Sequence, residues 1–280
     1  MKAAIVVDSM FSPYAATLAS ALERHVTKPV CFLFVNTNMP ARIAATIRRK
    51  GLIDGISAGL RSLVRVHRAT PDRYEYLRNW AETRDLLYWS SPVNRVADEL
   101  NIDLIRVKDV NSEDAIEAVR RREIDVLINA GGGIFRKKIV EAPSIGILNA
   151  HMGYLPAVRG MNALEWSLLL NHPVGVTVHI IDKGIDTGDI LLFKPIPVDE
   201  GDTVESLRSK SLVVSVEAMI DSIRGLTDGS INRISQSPAE GQQYYVMHQR
   251  LKRAAEIRLI ASYDRIRPIV KGHIPISPER

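Results

Sequence analysis

The sequence predicts an α/β fold, a doubly wound and mostly parallel sheet of the Rossmann-like kind. Three observations carry that reading. Short apolar runs at Lys2–Val7, Val30–Val35 and Ile124–Ile128 have the length and composition of strands buried on both faces. Amphipathic segments such as Pro13–Leu22, with Ala15, Leu18, Ala19 and Leu22 on one face, fall between them. Polar and glycine-rich turns follow the strands, as at Asp8-Ser9 and Asn129-Ala130-Gly131-Gly132-Gly133. Strand, helix and strand in that order build a sheet covered by helices on both sides.

Lys2–Val7 is the first strand, Pro13–Leu22 the first helix and Val30–Val35 the second strand. No G-x-G-x-x-G follows the first strand, which disfavours a dinucleotide there. Ala41 to Trp89 breaks the alternation. It reads as a helical insertion, longer than an ordinary connection, rich in arginine and holding Tyr74, Tyr76, Trp80, Tyr88 and Trp89. Three readings stay open: a helical layer packing its aromatics on the sheet with a solvated basic face, a lid or wall that contacts an anionic substrate, or a nucleic-acid contact.

Pro92–Leu100 is a short helix and Ile102–Val107 a strand. Ser112–Arg122 is a helix with Asn111 or Ser112 as N-cap and Glu113 and Asp114 in its first turn, where acidic groups favour the helix dipole. The glycines after Ile124–Ile128 allow either a tight strand-to-helix turn or close approach of the backbone to a flat ligand. A helix from about Arg136 to Val140 follows.

The chain is organised around Ile145–Leu192. Ile145–Leu148 is an apolar strand start, and Asn149 and His151 lie two apart on it, so their side chains point the same way. A helix around Leu164–Leu170 ends at Asn171-His172-Pro173. The strand Val176–Ile181 leads into Gly184-Ile185-Asp186-Thr187-Gly188-Asp189. This stretch reads as a βαβ unit with an amide, an imidazole and a carboxylate at its strand ends. His179 reads as core packing. Ile196–Val198 is expected to be an edge strand. Asp202-Thr203-Val204 starts a helix to about Arg224, Ile234–Tyr245 is extended, and the tail from Met247 is helical, with a loosely ordered last dozen residues.

Composition narrows the function classes. A net charge of +5 favours anionic small molecules or nucleic acid without requiring either. The single cysteine, Cys31, excludes an intrachain disulfide; it fits a reducing, cytoplasmic compartment and reads as buried packing. The N-terminal run, one Lys and then a strand-like stretch broken by Asp8, does not read as a signal peptide; no apolar run is long enough to span a membrane, and no spacing of His, Cys, Asp or Glu suggests a metal site.

The Asn149-x-His151 pair, the downstream Leu155-Pro156-x-x-Arg159-Gly160 and the run GVTVHIIDKGIDTGDIL from Gly175 to Leu191 resemble the 10-formyltetrahydrofolate-dependent formyltransferases. That family includes glycinamide ribonucleotide, methionyl-tRNA and sugar N-formyltransferases. The resemblance implies a catalytic domain over 1–245, with the insertion at about 41–89, and a C-terminal tail over 246–280. It implies 10-formyltetrahydrofolate as formyl donor and Asn149, His151 and Asp186 as catalytic residues. Asn149 would donate to the oxyanion of the formyl group and His151 would relay a proton. Asp186 would favour the imidazolium and hold a relay water. It further implies folate contacts from Gly132, Gly133, Ile134, Phe135, Ile181, Asp182, Gly184 and Ile185.

Met152-Gly153-Tyr154 departs from relatives that carry a serine before the Leu-Pro pair. Pro156–Gly160 is nearer the tRNA and sugar branch than the purine branch. The transfer-RNA enzymes carry a C-terminal barrel, whereas 35 residues follow Tyr245 here. The expected reaction is therefore N-formylation of a small-molecule amine, with an anionic amino sugar nucleotide favoured. Nucleic acid is disfavoured as a partner. Alternatives are a 10-formyltetrahydrofolate hydrolase, a methionyl-tRNA formyltransferase-like enzyme and a non-catalytic folate- or nucleotide-binding regulator. The insertion or the tail could build a homodimer.

Overall fold

In the computed structural model, residues 1–35 and 73–270 are described. Seven strands form one sheet: β1 Ala3–Val7, β2 Cys31–Val35, β3 Asp103–Val107, β4 Val126–Asn129, β5 Gly146–His151, β7 Gly175–Ile180 and β8 Ile190–Pro195. Their order is β3-β2-β1-β4-β5-β7-β8. The first five are parallel, and β7 and β8 are antiparallel additions at one edge. A second, two-stranded sheet pairs β6 Val158–Gly160 with β9 Gln242–Tyr244 in parallel.

The central strands are buried on both faces, which is why they read as unbroken apolar runs. Alternate residues of β1 face opposite layers. Ala3, Ile5 and Val7 pack with Leu18 and Leu22 of α1 (Pro13–His25), and Ala4 and Val6 pack with Ile116 and Val119 of α4 (Glu113–Arg121). Each of these Val, Ile and Leu side chains contributes about 1.5–3 kcal/mol on burial. β3 is the far edge, with Asp103 and Arg106 exposed; charge on an edge strand discourages further pairing. Cys31 is buried, and burial pushes its thiol up to about 11.

Between α1 and α4 lie α2 (Glu75–Glu82) and α3 (Val93–Leu100). Most of the arginine-rich insertion lies outside the described residues. In its described part, Tyr74, Trp80, Tyr88 and Trp89 pack against the first core layer, and Trp80 Nε1 donates to Glu217 at 2.9 Å. Ser112 caps α4 as expected. After α5 (Lys137–Val140) and α6 (Ala163–Leu170) comes the long α7, Val204–Asp228. A Thr203–Ser206 capping box starts α7. It runs past Arg224 to Gly229, whose φ of +74° suits the left-handed stop. In the tail, α8 (Gln249–Val270) buries Ala255 and Leu259 against Leu164, Leu168 and Val204. The last ten residues lie outside the described ones.

Two expectations are corrected. Ile196–Val198 is not a strand; Ile196 and Val198 are buried in the third core cluster, and β8 just before them is the edge. The Ile145–Leu192 stretch is not a βαβ unit. The chain leaves the sheet at His151 and re-enters beside it, with His151 opposite Thr177 and Leu148 opposite Ile180, so β7 runs antiparallel to β5. A parallel return needs a helix that crosses the sheet from end to end. Here β6 and α6 stay at one end.

Candidate active site

The antiparallel register sets Asn149 of β5 directly opposite His179 of β7. Cross-strand partners on one face lie close enough for their side chains to meet, and Asn149 Nδ2 is 3.1 Å from His179 Nε2. His179, expected to be packing, thus joins the polar cluster; its Nε2 also lies 3.4 Å from Asp186 Oδ1. His151, two residues beyond Asn149, has Nδ1 at 3.3 Å from Asp186 Oδ2. The three residues picked from the sequence therefore come together, with His179 joining Asn149 to the carboxylate.

Asp186 reaches this position through an unusual backbone, with φ of +54°. Non-glycine residues adopt this region at a cost, and functional sites often hold such residues. The loop around it is fixed on several sides. Asp182 Oδ1 accepts from Gly184 N–H at 3.0 Å and from Thr187 Oγ1 at 2.6 Å. Gln236 Nε2 donates to the carbonyls of Asp186 and Gly188 at 3.1 and 2.6 Å. Gly160 N–H of β6 donates to Asp186 Oδ2 at 2.8 Å. Buried Arg159 donates to Gln236 and to the Ser237 carbonyl. Asp189 stands apart and accepts from Ser235 Oγ at 2.9 Å.

The electrostatics follow from these contacts. Burial by itself would raise the Asp186 carboxyl, but its contact with His179, the proximity of His151 and the Gly160 N–H outweigh it and bring it to about 2. His151 was expected to be pushed toward the imidazolium by Asp186. Instead burial dominates and lowers its pKa, against the opposing pull of Asp186, because the ring is only 6% exposed. Its other nitrogen, Nε2, lies 2.9 Å from the Val158 carbonyl. Both ring nitrogens face oxygens, so a neutral ring leaves one lone pair against an acceptor. One proton taken up there would turn that contact into a charge-assisted hydrogen bond.

The Met152-Gly153-Tyr154 departure has a packing counterpart. A Cβ on Gly153 would stand 2.8 Å from His151 Nε2 and 2.5 Å from Ala163 Cβ, so the glycine lets the ring lie against the start of α6.

A second loop approaches Asn149 from β4. Asn129 Oδ1 accepts from the Gly131 and Gly132 N–H groups at 3.1 and 2.8 Å, and its Nδ2 donates to Asn149 Oδ1 at 3.0 Å. Asn111 holds the far side, donating to the Ile134 carbonyl at 2.9 Å and accepting from Arg136 N–H at 2.6 Å. Ile134 is 78% exposed, whereas Phe135 turns inward beneath Gly132. Ile185, on the Asp186 loop, is 48% exposed and Ile181 is half-buried. Asn129 and His179 were missed from sequence. Asn129 read only as the head of a glycine turn, and His179 only as a residue inside an apolar strand.

Residues 81–223, just over half of the chain, match the family model described as Formyl transferase. The chain belongs to the formyl transferase family. It is similar to the methionyl-tRNA formyltransferase of Clostridioides difficile (strain 630), 29% identical over 187 residues, covering 66% of this chain and 60% of that protein. The methionyl-tRNA formyltransferase of Methylacidiphilum infernorum is 33% identical over 151 residues, 53% of this chain and 47% of that one. The chain thus spans about half to three fifths of the length of these curated relatives. A sugar N-formyltransferase from Shewanella sp. FDAARGOS_354 has a like fold, with TM-score 0.54 and 16% identity over 92% of this chain and 87% of that one. So has glycinamide ribonucleotide transformylase 1 from Symbiobacterium toebii, with TM-score 0.53 and 19% identity over 84% and 94%. The Asn149–His179–Asp186–His151 cluster lies within the segment matched to the formyl transferase family. Among the described residues no helix is long and apolar enough to cross a membrane.

Proposed function

We propose that this protein is an N-formyltransferase that moves the formyl group of 10-formyltetrahydrofolate to an amine of an anionic small molecule, with an amino sugar nucleotide as the favoured acceptor. The observation that carries the reading is the convergence of Asn149, His151 and Asp186, drawn from two separate stretches, within a segment that matches the family model. The donor supplies a formyl carbon open to attack by an amine. The chain supplies surfaces that fit a flat ring system: Ile134 and Ile185 are exposed, and nothing stands within 4 Å of where a Cβ on Gly133 would lie. Gly132, Gly133 and Ile134 on one loop and Ile181, Asp182, Gly184 and Ile185 on the other would hold it. Phe135, buried beneath Gly132, would support its loop from behind.

Each polar residue then has a defined task. Asn149 has an amide hydrogen to spare for the formyl oxygen as negative charge develops there, without being charged itself. Neutral His151 stores the proton shed by the attacking amine, since uptake of a proton satisfies both of its oxygen neighbours. Asp186, at 16% exposure more open than the 6% of His151, is the group through which that proton passes, directly or by a water held on the carboxylate. The net charge of +5 supports an anionic acceptor.

The sequence matches to methionyl-tRNA formyltransferases support a second reading of the acceptor, methionyl-tRNA. The deciding assay follows tetrahydrofolate release from 10-formyltetrahydrofolate with amino sugar nucleotides, glycinamide ribonucleotide or methionyl-tRNA added. Release that requires a sugar nucleotide amine is the expected result. Release with methionyl-tRNA alone selects the second acceptor. Amine-independent release selects a hydrolase, and no release under any condition rules out the formyl-transfer reading.

A further inference from the structure

Asn129 lies outside the set of residues assigned above to the reacting groups, yet it is the first link in a chain of hydrogen bonds whose direction can be deduced. Backbone N–H groups can only donate. Gly131 and Gly132 N–H both point at one atom of the Asn129 side chain, at 3.1 and 2.8 Å, so that atom is the carbonyl oxygen. The remaining end of Asn129 is therefore its amide nitrogen, and it faces Asn149 at 3.0 Å. The atom of Asn149 that it meets must accept, which makes it Oδ1. The opposite orientation would set two NH2 groups against each other. Asn149 Nδ2 is thereby turned toward His179 Nε2, at 3.1 Å, leaving one amide hydrogen for His179 and one for the site. His179 Nε2 then accepts, and its Nδ1 carries the proton and donates to the Ile180 carbonyl at 3.1 Å. The Asp186 carboxylate is the more distant neighbour of that Nε2, at 3.4 Å.

We infer that Asn129 is a positioning residue: anchored by the amides of the glycine loop, it fixes which end of the Asn149 side chain faces the reacting group and which nitrogen of His179 is protonated. This rests on the formyl-transfer reading only for its effect on rate. The polarity of the relay stands on the hydrogen bonds alone. Without Asn129, an asparagine amide is free to turn over, and the turned form presents an oxygen lone pair where negative charge would build up.

The first test is made on the wild-type protein by nitrogen-15 NMR of the imidazoles. A Nδ1–H tautomer at His179 is expected; a Nε2–H tautomer there overturns the proposal even if the enzyme is active. The second uses Asn129→Asp, which keeps an acceptor for the Gly131 and Gly132 amides but cannot donate to Asn149, and Asn129→Leu, which removes both functions without adding charge. In both variants the His179 signal should lose the pure Nδ1–H pattern. With the acceptor found for the wild type, kcat should fall by about 10²–10³-fold, the scale of losing one oxyanion donor, and KM for the folate should change by less than about threefold in Asn129→Asp. Wild-type kcat in both variants, or a fall confined to KM, overturns the positioning role. If the wild type transfers no formyl group, the formyl-transfer reading fails while the NMR result still decides the relay.

Discussion

Two loops meet at Asn149, and they are held by different physics. The loop after β4 is fixed by neutral amides: Asn129 binds Gly131 and Gly132, and Asn111 binds Ile134 and Arg136. The loop after β7 is fixed by carboxylates: Asp182 staples Gly184 to Thr187, and Asp186 binds Gly160 and faces two histidines. Neutral amides transmit direction and do not respond to acid. Carboxylates and imidazoles carry and exchange protons, and their grip depends on pH. On the proposed reading, the two sides of Asn149 divide orientation from proton handling.

The largest test of that division is Asp186→Asn. It keeps the shape of the side chain and removes its charge, so formyl transfer should fall by about 10²–10⁴-fold, the range for losing acid–base assistance. Steady-state kinetics would check it, and a fall below tenfold would move proton handling elsewhere.

The same substitution sharpens the comparison through stability. The folded Asp186 carboxyl sits at about 2, below an unfolded value near 3.9. The unfolded chain therefore takes up this proton first on acidification. The stabilisation, up to about 2–3 kcal/mol, is whole above about pH 5 and is lost as the pH falls toward 2. Asp186→Asn should lower the melting temperature at pH 7 and converge on the wild type only as the pH nears 2. His151 acts with the same sign at higher pH. Burial depresses its pKa, so the unfolded state binds more protons and wild-type stability should begin to fall as the pH drops below about 6.5.

On the neutral side, Gly132→Ala should behave differently. Its Cβ would meet Phe135 Cζ at 2.5 Å and Val6 Cγ1 at 2.8 Å, both in packed surroundings. A loss of about 1–3 kcal/mol is expected, equal at pH 7 and pH 4 in denaturant titrations. A pH-dependent loss would show that the two loops are not separate. The smallest effect is expected from Asp182→Ala, which frees one backbone and one hydroxyl donor near the surface. It should cost about 1 kcal/mol, measured by thermal melting, with faster hydrogen exchange at Gly184.

Much of the parallel half was legible in the chain because a strand buried on both faces has to be an apolar run, as β1 and β4 are. Ser112 and Thr203 announced their helices because capping is a local interaction between near neighbours. Asn149 and His151 could be paired from their spacing, since alternation along a strand is also local. His179 could not be added. Its role depends on β7 running antiparallel to β5, and the same apolar residues would suit either direction. Asn129 was hidden for a related reason, since its partner Asn149 belongs to another strand.

The sequence by itself determined most of the strands and helices, the family they resemble, and the three polar residues at the centre. Those follow from periodicity, capping and motif, which act over a few residues. Only the tertiary structure decided that β7 turns back beside β5, that burial outweighs Asp186 in setting the charge of His151, and that Asn129 sets the direction of the Asn149 amide. Strand direction, desolvation and hydrogen-bond polarity arise between groups far apart in the chain, and they take a definite value only once folding brings those groups together.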